Sequence, residues 1–211
     1  KLENVTKNQV EKNFFKDEFG VDVDNLWLPD VFGYSAALPQ ILKKSGINYF
    51  LTQKLSWSQF NEFPHQTFHW RGIDGTEILT HFPPENTYNS ELDTQFLLPA
   101  QTGFKEKDKL DEFISLFGVG DGGGGPKPEN IELGMRMGNL ENSPRVSFDT
   151  AKNFFYRLEN KKHCLDTWVG ELYLELHRGT LTTHGLVKKQ NRKLEIKLRN
   201  VEMFWSCLDI D

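Results

Sequence analysis

At 211 residues with a formal net charge of −5, the chain is long enough for roughly one domain with a substantial core. It offers no reason to expect nucleic acid: basic clusters such as Lys188-Lys189 lie among acidic neighbours and read as a solvated face. No apolar run reaches membrane-spanning length. The two cysteines, Cys164 and Cys207, lack CxxC or framework spacing and read as free thiols of a reducing compartment.

In chain order, Asn8 to Phe19 places Val10, Phe14 and Phe15 at helical spacing and ends at Gly20, a plausible helix-closing glycine. Just before it, Asn4-Val5-Thr6 matches a glycosylation triplet of a kind that arises by chance. Leu26–Leu28 predicts a buried strand. A helix follows from about Ser35 to Ser45, with Pro39 in its first turns and Gly46 after its end. Ile47–Thr52 predicts the next strand. Ile73-Asp74-Gly75-Thr76 predicts a hairpin turn between strands Thr67–Trp70 and Glu77–Phe82. Helices are predicted over Lys107–Leu116, Pro128–Met137 and Thr150–Glu159, the last capped by Asp149 or Thr150. Short strands are predicted at Val146–Phe148 and at Trp168 with Glu171–Leu176. Alternating strands and helices argue for an α/β domain with a parallel sheet, open or closed into a barrel. Near Gly179 the pattern changes: Leu194, Leu198, Val201, Trp205 and Leu208 fall on one helical face suited to a bundle. Two regions are therefore expected, residues 1–179 and 180–211. A start at Lys1 and a stop just after that helical pattern suggest a piece of a longer protein.

Two carboxylates stand out. Asp30 ends the apolar run Leu26-Trp27-Leu28-Pro29 and precedes a Phe-Gly-Tyr turn, and the carboxyl ends of parallel strands are where α/β folds assemble their sites. The plainer use of Asp30 is to cap the next helix. Asp121 is the lone acidic residue of the loop Phe117–Pro126, whose glycines permit close backbone approach to a ligand. A phosphate cradle is disfavoured there by the missing Gly-Lys-Ser/Thr, and a plain linker remains the ordinary reading. A pair of aspartates on loops is what glycoside hydrolysis requires. The plentiful aromatics (17 Phe, 5 Trp, 5 Tyr) suit a large core first, and also the stacking of rings on sugars.

The segments LWLPDVFGYSAALPQ (Leu26–Gln40), FLTQKLSW (Phe50–Trp57), WRGIDGTEILTHFPP (Trp70–Pro84), GDGGGGP (Gly120–Pro126) and ELYLELHRGTLTT (Glu171–Thr183) together resemble the α-mannosidases of glycoside hydrolase family 38, in the cytosolic and vacuolar branch. The resemblance is collinear and covers most of the chain. It implies an incomplete seven-stranded (β/α) barrel-like catalytic domain followed by the first helix of a three-helix bundle. It implies retaining hydrolysis of terminal α-D-mannosyl residues of mannose-containing oligosaccharides, through a covalent mannosyl-enzyme intermediate. By the same resemblance Asp30 is the nucleophile and a ligand of one catalytic zinc, and Asp121 is the acid/base. Phe32 packs beside the sugar, Lys54 is a basic residue near the nucleophile, and His177 falls at a sugar-contacting position. His81 closes a strand, where it would either face the site or serve as a hydrogen-bonded histidine at the rim.

The sequence also departs from the family pattern. The zinc site calls for an upstream His-x-Asp pair and a further downstream His, and neither is present. His65 and His69 are four apart, but on a loop-and-strand segment beside Pro64, and do not read as a metal pair. With Asp30 as the single zinc ligand, the isolated chain is expected to bind zinc poorly and to be nearly inactive. The alternative is a non-catalytic carbohydrate-binding protein of the same fold. A cytoplasmic or vacuolar location is expected, with no nucleic acid or membrane partner; homo-oligomerisation of the parent is left open.

Overall fold

The computed structural model describes residues 12–180 and 182–208. The chain divides into two compact units, Lys1–Leu176 and His177–Asp211.

In the first unit, residues 12–19 are helical and Gly20 follows at φ 67°; Asn8 to Glu11 lie outside the described residues. Five strands form one sheet in the order β1-β2-β4-β3-β5: β1 Asn25–Trp27, β2 Tyr49–Leu51, β3 Thr67–Arg71, β4 Glu77–His81 and β5 Thr167–Val169. Only the β3/β4 pairing is antiparallel among the described strands; β1/β2, β2/β4 and β3/β5 run parallel. Helix α1 (Leu38–Lys44) connects β1 to β2, with proline in its first turn and lysines in its last, the charge order a helix dipole favours. The β3–β4 hairpin closes where its turn chemistry predicts. Gly75 is left-handed at φ 85°, and the Thr76 N–H donates to Asp74 Oδ1 at 3.0 Å.

Alternation along the strands splits the core between the sheet's two faces. Phe50, Phe68, Trp70 and Ile78 pack on one side with Leu42, Leu55, Leu172 and Leu174. Tyr49, Leu51 and Leu79 pack on the other with Phe104, Leu110, Leu116, Phe154 and Phe155. Helix α4 (Ala151–Glu159) covers this second side, with Thr150 Oγ1 accepting from Asn153 N at its start.

Several elements differ from the sequence expectation. Lys107–Leu116 is not a helix; helix α2 instead spans Thr94–Gly103, capped by Asp93, which accepts from Gln95 N and Phe96 N. Pro99 inside α2 hides the element from a periodicity reading. The apolar spacing of Leu110, Phe113 and Leu116 imitates a helix, but these side chains serve as separate anchors in the second core. The Ile114 N–H is spent on His81 Nε2 at 3.3 Å. Helix α3 runs over Pro128–Arg136. Val146–Phe148 forms no strand: Val146 N donates to Met137 O, and the Phe148 ring packs against Phe117. The last strand is Thr167–Val169, which includes Trp168 as expected but not Glu171–Leu176. Gly170, at φ 113°, turns the chain, so that Leu172 makes only a single bridge, to Tyr34.

His81, expected either to face the site and bind substrate or to be a hydrogen-bonded histidine at the rim, takes neither place: it is fully enclosed at 0% exposure. Its Nδ1 bonds Thr67 Oγ1 at 2.9 Å, its Nε2 accepts from Ile114, and its ring packs 4.8 Å from that of Phe154. Burial depresses its pKa to about 3, so the ring is neutral when folded. Between an unfolded value of about 6.5 and that folded value, the unfolded chain binds the extra proton. His81 therefore supports stability that is complete above about pH 6.5 and is lost as pH falls toward 3. In denaturant titrations from pH 7 to 4, His81→Gln is expected to flatten the decline in stability. An unchanged slope would refute this account.

In the second unit, Thr182 and Thr183 N–H groups donate to Gly179 O, and helix α5 covers Gly185–Leu208. Leu194, Leu198, Val201, Trp205 and Leu208 are all exposed on it. Among the described residues, no helix is long and apolar enough to cross a membrane.

Candidate active site

The three mutually parallel strands β1, β2 and β4 end at one edge of the sheet, as their registers Trp27↔Leu51 and Leu51↔His81 require. Asp30, Lys54 and Tyr88 follow these strands in turn and converge beyond that edge. A cleft of about 280 Å³ is lined by Pro29, Asp30, Tyr88, Phe117, the loop Gly118–Asp121 and Gly124. Both singled-out carboxylates thus line one cleft.

Asp30 is placed by the turn after β1. Gly33 takes φ 103°, and a Cβ there would come within 3.2 Å of Leu172 O. Tyr34 anchors the turn through backbone hydrogen bonds in both directions with Leu172, while its hydroxyl donates to Leu28 O at 2.7 Å. Asp30 therefore stands ahead of α1 in its own turn, and the start of α1 has no side-chain cap; its use as a helix cap is not realised. Lys54 opens a 3₁₀ turn after β2. Its backbone N–H donates to Pro29 O at 3.1 Å and its ammonium pairs with Asp30 Oδ1 at 2.7 Å. The Lys54 side chain is only 5% exposed, whereas that of Asp30 is 40% exposed. Phe32 lies 5.4 Å from the same ammonium but does not line the cleft.

Asp121 sits at the tip of a tight loop closed by reciprocal hydrogen bonds between Val119 and Gly124. Its own φ is 53°, an uncommon left-handed conformation for a residue with a side chain. Asn89 Oδ1 accepts from Gly120 N at 2.7 Å. Gly120 has to be glycine: a Cβ would lie 2.2 Å from the Tyr88 ring. That ring brings its hydroxyl to Asp121 Oδ1, donating at 3.1 Å. Burial, the hydrogen bond to Asp121 and the nearby charges of Asp30 and Asp121 push the Tyr88 hydroxyl above the usual phenol range. Tyr88 and Asn89 were not singled out from sequence. The weak signal available was their place just after β4, on the edge that carries Asp30.

His65, His69 and His81 of the first unit do not line the cleft. His81 is internal and absent from the cleft lining. His69 Nε2 bonds Lys162 O at 2.8 Å, and His65 Nδ1 lies 3.6 Å from buried Glu106, so the two do not form a metal pair. Glu106 accepts from Gln66 N and Thr67 N, and burial raises its carboxyl above the usual range. His177 belongs to the second unit, where it takes φ 51° and its carbonyl accepts from Thr180 N. Among the described residues no three His, Cys, Asp or Glu side chains group to hold a metal ion. One Asp30 oxygen is already held by Lys54, so these residues alone do not fit a zinc site.

A mostly parallel sheet with two carboxylates across a cleft at its carboxyl edge defines an α/β domain of the kind that carries sites on its strand ends. The glycosyl hydrolases family 38 N-terminal domain matches residues 3–171. The chain is 46% identical over 199 residues to alpha-mannosidase G of Dictyostelium discoideum, covering 94% of this chain and 18% of that protein. It is 46% identical over 195 residues to alpha-mannosidase 2C1 of Homo sapiens, covering 92% and 19%. It is 42% identical over 200 residues to an alpha-mannosidase of Saccharomyces cerevisiae, covering 90% and 18%. The crystal structure of an alpha-mannosidase from Enterococcus faecalis V583 shares the fold, at a TM-score of 0.61 and 16% identity, over 80% of this chain and 20% of that one. The chain belongs to glycoside hydrolase family 38, and it spans about a fifth of the length of the curated relatives it matches.

Proposed function

We propose that this chain is the central part of the catalytic domain of a retaining α-mannosidase acting on terminal α-D-mannosyl residues of mannose-containing oligosaccharides. The observation that carries the reading is the shared cleft of Asp30 and Asp121. Asp30, held by Lys54, attacks the anomeric carbon. Asp121 protonates the departing oxygen, then takes a proton from the water that releases mannose. Tyr88 links the two roles: it donates to Asp121 and stands beside Asp30.

The five-stranded sheet is read as part of a seven-stranded (β/α) domain, and α5 as the start of a helical bundle. Zinc dependence belongs to the same proposal, with the ligands other than Asp30 supplied by the parent outside residues 1–211. The ion would bind sugar hydroxyls as a Lewis acid. A cytoplasmic or vacuolar location is part of the proposal too. The test is to assay the full-length parent on an aryl α-mannoside with and without a chelator. Turnover that falls at least about tenfold on chelation and returns with added zinc is the expected result. A parent that binds mannosides without cleaving them would favour the carbohydrate-binding alternative.

A further inference from the structure

Lys54 and Trp57 occupy the two ends of one 3₁₀ turn, Lys54–Trp57. Three residues per turn brings side chains i and i+3 into register, and the Lys54 ammonium lies 3.5 Å from the centroid of the Trp57 ring. The Phe32 ring stands 5.4 Å from the same ammonium. A lysine this enclosed has lost most of its water and needs compensation. Among the described residues it has one carboxylate partner, Asp30, and the electron-rich faces of these rings supply the rest. An ammonium on a four-carbon stem has little intrinsic direction. Here the indole face restricts it, so the direction in which Lys54 meets Asp30 depends on a side chain that does not itself line the cleft.

We propose that Trp57 is a positioning residue for the glycosidase reaction. It holds the Lys54 ammonium against Asp30 Oδ1 and thereby fixes the rotation of that carboxylate. The inference rests on the reading of Asp30 as nucleophile. Trp57 does not line the cleft, and its ring reaches Asp30 through the shared Lys54 ammonium.

The test uses the full-length parent on an aryl α-mannoside. Trp57→Leu and Trp57→Met remove the aromatic face; Trp57→Phe keeps one. Trp57 is 49% exposed, so its replacement leaves the core intact. Both aliphatic variants are expected to lower kcat about tenfold with KM little changed, and Trp57→Phe to stay within about threefold of wild type. In a Lys54→Met background, Trp57→Leu is expected to cost nothing further, because the two act as one unit. A wild-type kcat in both aliphatic variants, or a Trp57→Leu loss that adds in full to that of Lys54→Met, would overturn the inference and leave the role of Asp30 standing. An inactive wild-type parent, or an active Asp30→Asn variant, would overturn both.

Discussion

Asp30→Ala in the full-length parent is expected to lower turnover of an aryl α-mannoside by about 10⁴-fold or more, because removing an attacking carboxylate leaves no covalent route. The geometry makes this the most damaging single change. Asp30 is the acidic group that the turn after β1 presents at the sheet edge, and its partner Lys54 is committed to it at 2.7 Å. Removal also strands an enclosed ammonium, so part of the effect falls on stability. Asp30→Asn separates the two contributions: it keeps shape and a hydrogen-bond acceptor for Lys54 but cannot attack. A folded Asp30→Asn parent with near-normal turnover would end the nucleophile assignment. Restored turnover of Asp30→Ala by azide, giving a β-mannosyl azide as the phenolate leaves, would strengthen it.

Asp121→Ala is expected to cost about 10²- to 10⁴-fold on substrates with poor leaving groups. The loss should shrink as the leaving group becomes more acidic, because such groups depart without a proton. Equal losses on dinitrophenyl and methyl α-mannosides would exclude the acid role. The prediction relies on a loop built to present one side chain. Asp121 is held at φ 53° between glycines, with Gly120 pinned by Asn89 and the carboxylate met by Tyr88. Strain of this kind persists where the surroundings over-determine it. Replacement by alanine keeps the loop's backbone partners, so the effect should fall on chemistry rather than on folding.

The local code of the chain carried most of the elements that support the site. The strand at Leu26, the Asp74-Gly75 turn and the helix after Pro128 each follow from neighbours a few residues apart, and each forms, although the strand runs Asn25–Trp27 and is half-buried with Trp27 exposed rather than buried as expected. Such features depend on backbone dihedrals and side-chain period, which short segments encode directly. The position of Asp30 after a strand belongs to the same class. So does the family likeness, carried by collinear short motifs.

Other features depend on partners that no local pattern names. His81 looks like a site-facing or rim residue from its strand-end position, yet Thr67, Ile114 and Phe154 enclose it, the nearest of them 14 residues away in sequence. Lys107–Leu116 reads as a helix until His81 takes the N–H of Ile114 and Leu110 and Leu116 are drawn into the core beside the sheet. Tyr88 gains its place only because Gly120, 32 positions on, lacks a Cβ and Asp121 offers an oxygen. Propensity and spacing said which residues could form strands, turns and caps, since those energies are summed over adjacent residues. Which carboxylate meets which hydroxyl, and which histidine loses its water, was settled by contacts between distant segments, since burial and pairing exist only once the sheet has brought them together.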